Sequence, residues 1–150
     1  MVFDAIFGLK THAVFDIWTI EHLLTGISVG FAVKKNNYKV FQKVLNVIKH
    51  NHYSLWFDMN GVLLAAYLWE TLEHYLETGL AGARVEYWFQ GVEFWPNRLI
   101  ADPLILVLGY MIARKWPFLV WPARFFSATW LILHVFIFPH SMYLQELLFS

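Results

Sequence analysis

The segment "WETLEHYLETG", residues 69–79, places Glu70, Glu73, His74 and Glu77 in a run that otherwise reads as the end of an apolar helix. At about 100° per residue, these four side chains fall within an arc of about 100°. Such a stripe offers two chemistries. Burial raises a carboxyl's proton affinity toward neutrality, which suits Glu73 and His74 to acid–base work. The same groups are ligands for Zn or Fe. Other stretches bring companions. "FDIWTIEHLLTG" carries Asp16, Glu21 and His22, and "NRLIAD" carries Asn97, Arg98 and Asp102. His134 follows in a fourth stretch, seven residues after Ser127. The Arg98 guanidinium is a planar fork that matches phosphate oxygens. Arg98 and Asp102 are also spaced to pair on a helix.

These groups need elements to position them, and the sequence supplies helices. Of the 150 residues, 59% are hydrophobic, 19% aromatic and only 15% charged, with mean hydropathy +0.48. A soluble domain carries more charge. The apolar residues fall in four blocks, 13–33, 53–78, 97–113 and 117–139, each near the length that crosses a bilayer. The expectation is an all-α integral membrane four-helix bundle forming one domain over residues 1–150. The third block is short for a span; a helix that starts near Pro96 and bends at Pro103 is expected there, with a re-entrant segment as the alternative.

The lysines Lys34, Lys35, Lys39, Lys43 and Lys49, with Arg114 and Lys115, mark two connections as cytoplasmic. Both termini and the 79–96 connection then face outward, as in a bacterial inner-membrane protein. Within residues 34–49, Tyr38, Phe41, Val44, Leu45 and Ile48 recur at helical spacing opposite the lysines. That pattern predicts an amphipathic helix lying on the inner leaflet. The start, "MVFDAIFGLKTH", has no basic start and no small-residue cleavage site of a signal peptide. In this topology His22, Glu70, Glu73, His74, Glu77, Asn97, Arg98, Asp102 and His134 all lie in the outer half of the bilayer. The stripe on the second span is expected to face the bundle interior, because bare carboxylates avoid lipid. Gly26 and Gly30 form a small-xxx-small face, suited to close packing or to a homo-oligomer. The aromatic connection "GLAGARVEYWFQGVEFWP" reads as an interfacial belt or as a lid over a site.

Some functions are excluded. There is no cysteine, so thiolate chemistry and disulfides are absent. The net charge of zero gives no basic footprint for nucleic acid.

The order of the motifs is similar to that of the VanZ-like membrane proteins and the wider lipocone superfamily. A first-span histidine (His22) is followed by Glu70-x-x-Glu73, where that family has Glu-x-x-Gln. Arg98, Asp102 and Gly109 resemble its arginine and its Asp-x-x-x-Asn-x-x-Gly, with Leu106 at the asparagine position. The acidic residue four before the histidine is replaced by Trp18. The resemblance implies a polar site near one membrane face that acts on lipid headgroups or lipid-linked phosphates.

Three functions compete. The first is an enzyme for lipid phosphodiesters, with His22, Glu70, Glu73, His74 and Asp102 as catalytic groups and Arg98, Asn97 and Glu77 binding substrate. The second is a Zn or di-iron enzyme with Glu70, Glu73, His74, His22 and His134 as ligands; haem between His22 and His134 belongs to the same class. The third is a protein that binds membrane lipid without turnover.

Overall fold

The structure is a computed structural model that describes residues 5–44 and 55–149. Its regular elements are helical. They are α1 (Thr19–Val44), α2 (Leu55–Glu77), α3 (Ala83–Phe89), α4 (Asp102–Lys115), α5 (Val120–Ile132) and α6 (Tyr143–Phe149). A π-helical turn, Asn97–Ala101, leads into α4; a 3-10 turn, Pro117–Leu119, leads into α5; a second π-helical turn, Leu133–Ile137, ends that helix. The all-α expectation therefore holds, and each apolar block contains one long helix.

Helix α1 is the hub and packs against α2, α4 and α5. Its approach to α4 depends on glycine. A Cβ on Gly26 would lie 2.2 Å from the Leu106 carbonyl oxygen, and one on Gly109 would lie 2.5 Å from the Leu23 carbonyl oxygen. One turn further on, Gly30 meets Tyr110. The contacts advance together along both helices, so α1 and α4 run parallel. The Gly26–Gly30 face is thus packed against the chain's own α4. Two apolar clusters flank this contact. Val62, Ala66, Leu106, Val107 and Tyr110 form one, and Ile27, Ala113, Val120 and Ala123 form the other.

Three boundaries differ from the sequence reading. Helix α1 begins at Thr19, not at residue 13. Asp16 accepts a 2.7 Å hydrogen bond from the Trp18 amide, and its own amide donates to the Thr19 hydroxyl at 3.2 Å. Such side-chain bonds compete with helical pairing and turn the chain instead. At the other end α1 continues without a break to Val44. The expected separate amphipathic helix is, up to that residue, the tail of the first helix. Lysine is a good helix former and no Gly or Pro interrupts the run. Leu45, Ile48, Lys49, His50 and His52 lie outside the described residues. The last long helix gives way at Phe138, whose extended backbone (φ −81°, ψ 147°) is what a residue before proline prefers.

In the third block a π-helical turn, Asn97–Ala101, runs directly into α4, which carries Pro103 as its second residue. Proline has no N–H, so the Leu99 carbonyl four residues earlier loses its helical donor. The Tyr67 hydroxyl of α2 donates to that carbonyl at 3.0 Å. Meanwhile the Asp102 amide reaches back five residues to the Asn97 carbonyl.

Among the described residues one helix is long and apolar enough to cross a membrane by composition. It is Pro117–Ile137, 21 residues with hydropathy 1.4.

Gly109→Ala should lower the thermal midpoint of the detergent-purified protein. The added methyl meets backbone rather than a movable side chain, and overpacking of this kind costs about 1–3 kcal/mol. An unchanged midpoint would mean that the α1–α4 approach is not tight.

Candidate functional site

The ends of α1, α2 and α4 that lie near the termini enclose a buried set of ionisable groups. Asp16, His22, Glu70, Glu77, Glu93, Asn97, Arg98 and Asp102 are all buried. His22 reaches the set from the first full turn of α1, four residues before Gly26. Glu70, Val62 and Ala66 lie on one buried face of α2. Asp102 starts α4, seven residues before Gly109. The glycine contact therefore sets His22 beside Asp102.

The geometry of His22 assigns its tautomer. Nδ1 lies 3.0 Å from the Trp18 carbonyl oxygen, which can only accept, so Nδ1 carries the proton and donates. Asp102 Oδ1 lies 3.6 Å from the same nitrogen. Nε2 points at Glu70 Oε1, 3.2 Å away. His22, Glu70 and Glu73 each bring one ligand-type atom to within 4.8 Å of the others, as do Glu70, Glu93 and Asp102, and Glu73, Glu77 and Glu93. Several carboxylate oxygens in this set have no hydrogen-bond partner among the described residues: Glu70 Oε2, Glu93 Oε2 and both oxygens of Asp102.

Two cations offset the charge at one side. Lys10 Nζ and an Arg98 amino group bind opposite oxygens of Glu77. Arg98 also contacts His74 Nδ1 at 3.0 Å, and its Nε is 3.7 Å from Glu93 Oε2. Glu77 Oε2 further accepts the Glu93 amide at 3.1 Å. Asn97 donates to Glu93 Oε1 at 2.9 Å and to Asp16 Oδ2 at 3.2 Å. Burial, reinforced by the charge of Asp102, pushes the Glu93 carboxyl up to about 10. Glu93 is therefore held in its protonated form at neutral pH.

Beside this set lies a cavity of about 480 Å³. Its ionisable lining is Lys10, Glu21, His22 and Glu73, with Thr25 and Ser141 beside them, and much of the rest is apolar: Trp69, Trp88, Leu106, Leu131 and Val135 among others. Trp69, Leu131 and Val135 are also exposed on the outer surface. Glu21 is tied down by Ser127 and Thr25, whose hydroxyls donate to Oε1 at 2.6 and 2.8 Å. The aromatic connection reaches this cavity. Trp88 and Phe89 line it, with the Trp88 indole N–H on the His134 carbonyl at 3.1 Å. Tyr87 and Trp95 remain exposed.

The structure thus brings His22, Glu70, Glu73 and Asp102 together. It corrects five residues. Arg98 does not pair with Asp102; its fork is taken by Glu77, Glu93 and His74, and it does not line the cavity. Glu77 and Asn97 are likewise internal partners, Glu77 of Lys10 and Arg98, and Asn97, through its amide nitrogen, of Glu93 and Asp16. His74 sits exposed at the edge of α2 and touches the set only through Arg98. His134 is caged between the rings of Trp18 and Trp130, 4.8 and 4.7 Å from its centroid, and belongs to none of the ligand groupings. Two contributors went unrecognised, Lys10 and Glu93. Both lie in irregular segments, where helical phase gives no signal.

No family model, no curated protein and no solved structure matches the chain.

Glu77→Gln should destabilise the protein far more than Glu146→Gln, a change on an exposed helix. Removing the shared partner leaves Lys10 and Arg98 buried and uncompensated, a loss on the order of 3–5 kcal/mol. Thermal unfolding of the two variants checks this; equal midpoints would show that the clamp contributes nothing.

Proposed function

We propose that this chain is an integral membrane protein that draws the headgroup of a phosphorylated lipid into the cavity and performs acid–base chemistry on it. The observation that carries this reading is the cavity itself. It joins an apolar wall, open to the outer surface at Trp69, Leu131 and Val135, to a polar end formed by Lys10, His22 and Glu73. A lipid has the same division between tail and headgroup.

The inverted burial supports a membrane setting. Carboxylates, Arg98 and His22 are inside, while Leu64, Leu68, Leu104, Leu108, Phe125 and Phe136 are exposed. In water such a surface would aggregate. Charges turned inward also explain why composition alone selects one spanning helix, whereas we read four. Lys34, Lys35 and Arg114 line a second cleft, at the opposite end of α1 and α4 from the acidic set. That polarity favours a cytoplasmic location for the basic end and an outward location for the cavity. The resemblance to VanZ-like and lipocone proteins points the same way.

In this reading Lys10 takes the place that Arg98 held in the sequence analysis. Its ammonium has three hydrogens, and Glu77 uses one. The other two can meet phosphate oxygens. Glu73 borders the cavity and is placed to take a proton from an attacking hydroxyl as the phosphorus–oxygen bond to the leaving group breaks. His22, held by Trp18, orients or relays that proton.

The test is capture and turnover of two probes, a fluorescent glycerophospholipid and a polyprenyl diphosphate, by the purified protein. Lys10→Met should lower retention at least tenfold, and Glu73→Gln should keep retention but abolish turnover. Retention without turnover by the unaltered protein would favour the binding-only reading. Failure to retain either probe would remove the lipid reading altogether.

A further inference from the structure

The geometry of His22, Glu70 and Glu73 points to a divalent metal site that opens on the cavity, and we propose that it takes a first-row ion of the Mn(II) to Zn(II) series. The inference rests on the cluster and is independent of the lipid reading.

Three observations carry it. The first is the tautomer. With the Nδ1 proton committed to the Trp18 carbonyl at 3.0 Å, Nε2 is left facing Glu70 Oε1, 3.2 Å away, where either a proton or a metal ion can sit between them. A lone pair facing a carboxylate is repulsive unless something positive lies between them. Metal-bound histidines characteristically donate their other ring N–H to a backbone carbonyl or a carboxylate, which fixes the ring and raises its basicity. Here Trp18 supplies the carbonyl, and Asp102 stands behind it at 3.6 Å.

The second is the unpartnered oxygen. Glu70 is 1% exposed, yet its Oε2 has no hydrogen-bond donor among the described residues. A buried acceptor of this kind costs free energy unless a ligand satisfies it. One atom each from His22, Glu70 and Glu73 lies within 4.8 Å of the other two, so small side-chain rotations close them round an ion.

The third is charge and access. Lys10 and Arg98 are both engaged by Glu77, Arg98 away from the cavity and Lys10 at its border. That leaves Glu70, Glu73 and Asp102 around a single histidine. His22 and Glu73 border the cavity, so an ion held there keeps open coordination positions toward any molecule inside it. One imidazole with carboxylates selects borderline first-row ions over Cu(I), which prefers sulfur, and over Ca²⁺, which prefers oxygen alone. His134 and His74 take no part.

The competing account is a proton shared among the same groups, and the experiment separates the two. Full-length protein, purified in detergent and stripped with EDTA, is titrated with Mn²⁺ and with Zn²⁺. Mn²⁺ binding is read by the loss of the free-ion paramagnetic signal, and both titrations by the thermal midpoint. We expect saturable uptake of at least one equivalent of one of these ions, with a midpoint rise that EDTA reverses. His22→Ala and Glu73→Gln should each weaken binding at least tenfold, while Glu146→Gln should not change it. If His22→Ala fails to fold, Glu73→Gln carries the comparison, because its side chain borders the cavity. Absence of saturable binding by the unaltered protein, or unchanged affinity in Glu73→Gln, would overturn the site in favour of a shared proton. Lipid retention by the stripped protein removes neither reading, whereas metal uptake without lipid retention would leave this site standing alone.

Discussion

The backbone contact between Gly26 and Gly109 governs the rest of the structure. Any side chain at either position would push α1 and α4 apart by the width of a methyl group. The helices run parallel, so the same contact fixes their relative height. Four residues before Gly26 comes His22, and seven before Gly109 comes Asp102. Their proximity follows from where the glycines meet. Tyr67 then ties α2 to the π-helical turn that precedes α4, through the carbonyl that Pro103 leaves without a donor. That tether brings the Glu70 end of α2 against the pair.

The second constraint is charge. A protein interior of low polarity tolerates ions only when they are paired. The clamp of Lys10 and Arg98 on Glu77 meets this demand at one side of the cluster, and protonation of Glu93 meets it in the middle. Of what remains, His22 and Glu73 border the cavity. The chemistry is therefore concentrated where the fold has left charge unbalanced, and the neutralised groups serve as its frame.

The helices and much of the site were legible because both depend on periodicity. Glu70 and Glu73 share a stripe with the buried face of α2, and the placement of His22 and Asp102 at one end of the bundle agrees with the parallel course of α1 and α4. Periodicity also explains the failures. Arg98 and Asp102 are four apart, which pairs them on an α-helix, but the π-helical turn between them changes their relative phase. His74 lies on the margin of the stripe, where a small rotation separates burial from exposure. Lys10 and Glu93 arrive from segments without a repeat; Lys10 is held there by the Phe94 amide on its own carbonyl and by the ring of Phe89. For such residues only the tertiary fold supplies a neighbour list.

The unbroken course of α1 has a mechanical meaning. At about 1.5 Å per residue its 26 residues form a rod roughly 39 Å long, against a hydrocarbon layer of about 30 Å. In the membrane reading, the rod's lysine-bearing end projects past the bilayer on the side opposite the cavity. Near its other end it carries His22, with Gly26 in contact with α4. A rigid helix transmits displacement along its axis with little loss. A pull on the lysine-bearing end would therefore be felt in the register of His22 against Glu70, further along the same rod.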